Sequence, residues 1–221
     1  SRLHRAKNSH LATFFSYRFR ADRRHYQNVP DGLRQMFFKA VQILRRNPRG
    51  FFLVIEIPAL DYSCRVGDIA GIASELMEIN ELSGAALTFS RKARDSLVAV
   101  VPPYETANFM VVDDELPSFL KRYGEIRCSP LYADRAIGKA EGLLQVLRVF
   151  RDSMGVRFLE QFELAEICRT PSGTDRIHII ARIISHHLGG GFFAQRCPSG
   201  RLVPIFIDGP GSENWPAEMD N

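Results

Sequence analysis

The chain is 221 residues long, 45% hydrophobic and 24% charged, with a formal net charge of +4. It holds enough apolar material for one buried domain or one large lobe, and no run approaches the ~18 consecutive apolar residues of a membrane-spanning helix. Cys64, Cys128, Cys168 and Cys197 are scattered without a C-x-x-C pair, which argues against a structural zinc site and a disulfide framework and leaves the compartment open.

In chain order, residues 1–29 form a basic segment. Arg2, Arg5, Lys7, Arg18, Arg20, Arg23 and Arg24 face a single acid, Asp22. Such an arm suits phosphates or anionic lipid, or simply a solvated face. No aromatic-rich motif accompanies it, so the expected partners do not include nucleic acid. The chain starts without Met and without a signal-peptide layout, and reads as a processed product or a piece of something longer.

Residues 30–46, "PDGLRQMFFKAVQILRR", predict a helix. Leu33, Met36, Phe37, Ala40, Val41 and Leu44 share one apolar face, Pro30 suits the start, and Arg45 and Arg46 suit the C-terminal dipole. "NPRG" ends it. "FFLVIEI" at 51–57 then reads as a strand covered on both faces in a parallel sheet. A second helix is expected over about 68–89 with Ile69, Ile72, Leu76 and Ile79 inward. "DSLVAVVPP" is another buried strand, stopped by Pro102 and Pro103. Further helices are expected near 133–151 and 174–187, and a last strand in "RLVPIFIDG". The region 110–173 is the least regular and reads as an insertion or cap. The alternation predicts an α/β fold with a mostly parallel central sheet flanked by helices, occupying 30–221.

Three of these segments, taken together, resemble the C-terminal half of the alkaline phosphatase family. "PDGLRQMFFKAVQILRRNPRGFFLVIE" is similar to that family's helix, its "NP-x-GFFL" turn and a strand ending in a metal-binding glutamate. "DSLVAVVPPYETANF" resembles the strand followed by "T-A-D-H-E-T-G-G-F". "GGGFFAQRCPSGRLVPIFIDGPGSENW" resembles "H-T-G-x-x-V-P-x-x-x-x-GPG-A". The matches fall in the family's order and cover about half of the chain; the stretch between the second and third falls where the family carries its variable crown.

The resemblance implies two zinc ions, a magnesium and a serine nucleophile, with the metals neutralising phosphoryl charge. It places the magnesium-binding glutamate at Glu56 and a zinc-binding aspartate at Asp61. It places zinc-binding histidines at Arg65, Tyr104 and Pro198, and a zinc-binding aspartate at Pro103. Proline has no side-chain ligand, arginine puts a fixed positive charge where the cation belongs, and a neutral phenol with pKa near ~10 is a reluctant ligand. The segment carrying the family's serine has no counterpart here. Glycines, turns and apolar strands are kept while most ligands are replaced: the pattern is that of a frame outlasting its chemistry.

The expectation is therefore a non-catalytic alkaline-phosphatase-like protein, without catalytic residues or cofactor, acting through protein binding or assembly. A half-sheet would expose an edge needing a protein partner, the missing N-terminal half or self-association. The alternative is a metal-dependent phosphate-ester hydrolase completed by that half or another chain, with Glu56 and Asp61 holding residual magnesium or zinc, together with Cys197 and a histidine. Asp61 has Arg65 four residues on as an alternative ion-pair partner, and Arg65 is also a candidate for holding an anion. His186 and His187 are adjacent on a helix and so point in different directions, which argues against their sharing a metal; a dipole role at the helix end fits them. "GGG" at 189–191 lacks the lysine and Ser/Thr of a phosphate loop and reads as a helix stop.

Overall fold

The computed structural model describes residues 32–102, 109–111, 121–188, 191–193 and 202–216. The basic segment 1–29, Pro103, Tyr104, Cys197 and Pro198 lie outside the described residues.

Helix α1 spans Gly32–Leu44 and turns Leu33, Phe37 and Val41 inward, as its periodicity predicts. Helices α2, Pro58–Val66, and α3, Ile69–Ala93, form a helix–turn–helix. Pro58 opens α2, where its fixed φ and missing N–H cost nothing. Gly67 closes it in the left-handed region at φ 77°, and the buried Asp68 side chain accepts the Gly71 N–H at 2.9 Å to cap α3.

Gly71 also fixes which face of α3 turns inward. A Cβ built there falls 2.6 Å from Asp68 Oδ2 and 2.7 Å from Ser63 Oγ. Seated against α2 at that point, α3 buries Gly71, Glu75, Glu78 and Leu82 at steps of four, three and four. Leu76, expected inward, stands about 100° round from Glu75 and is exposed along with Met77. Gly71→Ala should lower stability by ~1–3 kcal/mol through the crowded cap. Gly84→Ala in the same helix meets open space and should be neutral or stabilising by up to ~1 kcal/mol. Thermal melts of the two variants check this pair.

Two short ladders are described. Strand β1, Val98–Val100, pairs antiparallel with β4, Phe206–Asp208, in the register Val98 to Asp208 and Val100 to Phe206. Strand β2, Phe109–Val111, pairs antiparallel with β3, Gly191–Phe193. The mostly parallel central sheet expected from the sequence is thus not among the described ladders. "FFLVIEI" differs most from expectation. It belongs to neither described sheet, and only one of its faces is covered. Leu53 and Ile57 pack on Phe37, Val41 and Leu82, while Phe52 is 89% and Val54 63% exposed. A strand needs a neighbour for its backbone, and the described chain supplies none beside this stretch.

The larger core lies between the region 110–173, read as an insertion, and the helix that follows it. Helices α4 (Pro130–Ile137), α5 (Leu143–Met154), α6 (Gln161–Arg169) and α7 (Thr174–Leu188) surround Phe150, Met154, Ile167, Ile180 and Ile183, all almost wholly buried. The helix expected over 133–151 is two, interrupted between Ile137 and Leu143 around Gly138 and Gly142. Ser129 caps α4 by accepting the Tyr132 N–H. Across this unit a buried ion pair joins Asp134 of α4 to Arg176 of α7 at 2.6 Å.

Candidate functional site

Glu56, Asp61 and Arg65 sit where the extended segment 51–57 runs into α2. Glu56 is exposed just ahead of Pro58, Asp61 lies in the helix's first turn, and Arg65 lies in its last. An acid early and a cation late suit the helix dipole, and the i, i+4 spacing brings the two together. The Arg65 Nε–H donates to Asp61 Oδ2 at 2.9 Å, with both side chains about two-fifths exposed. A cation at this carboxylate would have to displace the guanidinium, so Asp61 and Arg65 do not fit a zinc ion held between them. Cys64 is the nearest sulfur in sequence. Burial, aided by the Asp61 charge, pushes its thiol up to about 11, which keeps it protonated at neutral pH and poor as a soft ligand.

A second cluster, absent from the sequence expectations, lies 100 residues further along. Glu163 in the first turn of α6 is 1% exposed. Its Oε2 accepts the Glu160 backbone N–H at 2.9 Å, so the carboxylate serves the helix N-terminus. The same Oε2 lies 2.8 Å from His187 Nε2, and Oε1 lies 3.3 Å from His186 Nδ1. Burial pushes the Glu163 carboxyl up, but hydrogen bonds from His187, the Glu160 N–H and His186 outweigh it, and the net shift is downward. His187 is also flanked edge-on by Phe158, with ring centroids 5.1 Å apart. The two imidazoles therefore do converge, contrary to the sequence expectation. They leave α7 about 100° apart and embrace one carboxylate from its two sides. Glu163 was the missing element; its mark in the sequence is the acid at the third position of a helix, "EQFE".

The alkaline phosphatase family profile matches residues 9–114, the span that holds α1, the segment 51–57, Glu56, Asp61 and Arg65. Alkaline phosphatase 3 of Bacillus subtilis (strain 168) is 22% identical over 198 residues, covering 88% of this chain and 42% of its own length. Alkaline phosphatase of Escherichia coli (strain K12) is 32% identical over 82 residues, 37% of this chain and 17% of its own. The crystal structure of a cold-active alkaline phosphatase from a psychrophilic Shewanella superposes with a TM-score of 0.69 at 18% identity, over 86% of this chain and 48% of that one.

These comparisons support the resemblance to the alkaline phosphatase family that the sequence motifs carry. The chain's fold is that of the alkaline phosphatases, and the chain spans less than half the length of the Bacillus and Shewanella proteins. The two clusters stand differently toward that family. Glu56 and Asp61 lie where the family resemblance places ligands, within the matched residues. Glu163, His186 and His187 lie beyond residue 114 and outside the matched profile. Among the described residues, no helix is long and apolar enough to cross a membrane.

Proposed function

We propose that this chain is a non-catalytic alkaline-phosphatase-like protein that acts through protein binding. The observation carrying the reading is the Asp61–Arg65 ion pair: the position at which the family resemblance expects a zinc-binding histidine presents a guanidinium already bound to the neighbouring carboxylate. The prolines at 103 and 198 support it by composition, since neither offers a ligand atom. The binding surface is the outward face of 51–57, where Phe52 and Val54 line an extended backbone that no described strand pairs. A second strand laid there would make this segment part of the parallel sheet expected from the sequence.

Metal analysis of the purified chain and an assay of p-nitrophenyl phosphate hydrolysis with added zinc and magnesium test the first half. The expected result is no turnover above buffer, unchanged in Asp61→Asn. Turnover that depends on Asp61 would overturn the proposal. A second reading, in which another segment or chain completes a metal-dependent phosphate-ester hydrolase, draws on the coverage of 42% of the Bacillus relative. Under it, Glu56 and Asp61 would hold magnesium or zinc once the ion pair opened. It requires activity to appear only after such a segment is added, and to disappear again in Glu56→Gln.

A further inference from the structure

We infer that Glu163, His186 and His187, which lie outside the residues matched by the family profile, form a divalent metal site of the zinc class. Each residue offers one ligand atom, and the three atoms lie within 4.8 Å of one another. His187 Nε2 lies 2.8 Å from Glu163 Oε2 and His186 Nδ1 lies 3.3 Å from Glu163 Oε1, so the imidazoles approach the two oxygens of one carboxylate. Zinc bonds of ~2.0–2.1 Å arranged tetrahedrally set ligand atoms about 3.3–3.4 Å apart, a spacing within the 4.8 Å that bounds the trio.

The donor chemistry selects the metal. Two imidazoles and one carboxylate suit zinc and its late first-row neighbours, whereas magnesium and calcium take oxygen sets. The support behind the ligands is already built. Glu163 is fixed by the Glu160 N–H, which holds one carboxylate oxygen in place, and the His187 ring is held against Phe158. The carboxylate is almost wholly buried, while the His186 side chain is 68% exposed. That asymmetry leaves a solvent-facing side where a water would complete four-coordination. An ion would take the place of the contacts now made between the two imidazoles and the carboxylate. It would also tie α6 to α7, closing the end of the helical unit opposite the Asp134–Arg176 pair on α7.

The test uses the full chain stripped with a chelator and titrated with Zn²⁺ alone against a chromophoric competitor, followed by Co²⁺ for its visible spectrum. One Zn²⁺ is expected to bind, to raise the melting temperature, and to be replaceable by Co²⁺ with a tetrahedral absorption band. His186→Ala is the informative variant, because its exposed side chain can be removed without opening the core. It should weaken Zn²⁺ at least tenfold and abolish both the cobalt band and the zinc-dependent melting shift. Glu163→Gln should do the same, and Asp61→Asn should leave all three readouts unchanged. The inference is overturned if the wild-type chain binds no stoichiometric Zn²⁺, or if His186→Ala binds it as tightly as wild type. It is equally overturned if Asp61→Asn, and not His186→Ala, removes the ion. Loss of the ion in Asp61→Asn would count against the proposed function as well, whereas the His186→Ala and wild-type outcomes judge this site alone.

Discussion

Asp134→Ala should be the most damaging single substitution in the helical unit, lowering stability by ~3–5 kcal/mol. The Arg176 Nε–H donates to Asp134 Oδ1 at 2.6 Å, and its Nη2–H donates to the Asp134 backbone carbonyl at 3.0 Å. Ser172 Oγ–H donates to the remaining carboxylate oxygen at 2.7 Å. The two charged side chains are only 4% and 8% exposed. Removing the carboxylate would leave a guanidinium buried near the N-terminal end of α7, where the helix dipole also opposes a cation. Against the ~5–15 kcal/mol that holds a typical domain together, this is a large fraction. The penalty comes from the stranded charge rather than from the lost attraction, so a double replacement separates the two. Asp134→Ala with Arg176→Met should recover much of the loss, since apolar substitutes often match a buried pair. Urea unfolding midpoints of the wild type, the single and the double variant decide it. An Asp134→Ala midpoint equal to wild type would show that water already reaches the pair.

How far the sequence revealed this molecule depended on which force set each element. Helix α1 was legible because packing and propensity agree there: Leu33, Phe37 and Val41 repeat at four and all are buried. Helix α3 was legible as a helix but not in its rotation, because the contact at Gly71, not apolarity, determines its inward face. Helix α6 was not foreseen; nine residues make a marginal helix on their own, and it is held by the Glu163 cap and by Ile167 in the core. For 51–57 the apolar run was read as burial on both faces, but apolarity records what a segment can bury and not whether the cover is within the described chain. The candidate centre around Asp61 divided in the same way. The Arg65 pairing followed from i, i+4 spacing alone, whereas the Glu163 cluster depends on two helices meeting, which no local pattern encodes.

Phe52→Asp with Val54→Asp should weaken association through the 51–57 face by roughly 10²–10⁴ fold. Phe52 is 89% and Val54 63% exposed, and fully burying an apolar side chain of this size contributes about 1.5–3 kcal/mol. Two such side chains give about 3–6 kcal/mol, and each 1.4 kcal/mol is about tenfold in affinity. The charges add a second effect, since carboxylates along an unpaired strand oppose edge-to-edge pairing. The pair lies on the outward face, opposite Leu53 and Ile57, which stay seated on Phe37 and Leu82. Fold stability should therefore change by no more than about 0.5 kcal/mol, which makes the double variant a clean probe of binding. In the absence of any other partner, the purified chain should cover this face with a second copy of itself. Sedimentation equilibrium should then show reversible association of the wild type at micromolar concentrations and a monomer for the double variant. A wild-type chain that remains monomeric, or a double variant that associates equally well, would place the binding surface elsewhere. Because the face follows from strand alternation alone, moving the substitutions by one residue should change the outcome in kind. Leu53→Asp should unfold the cluster around Val41, and a loss of association there would come with a loss of structure.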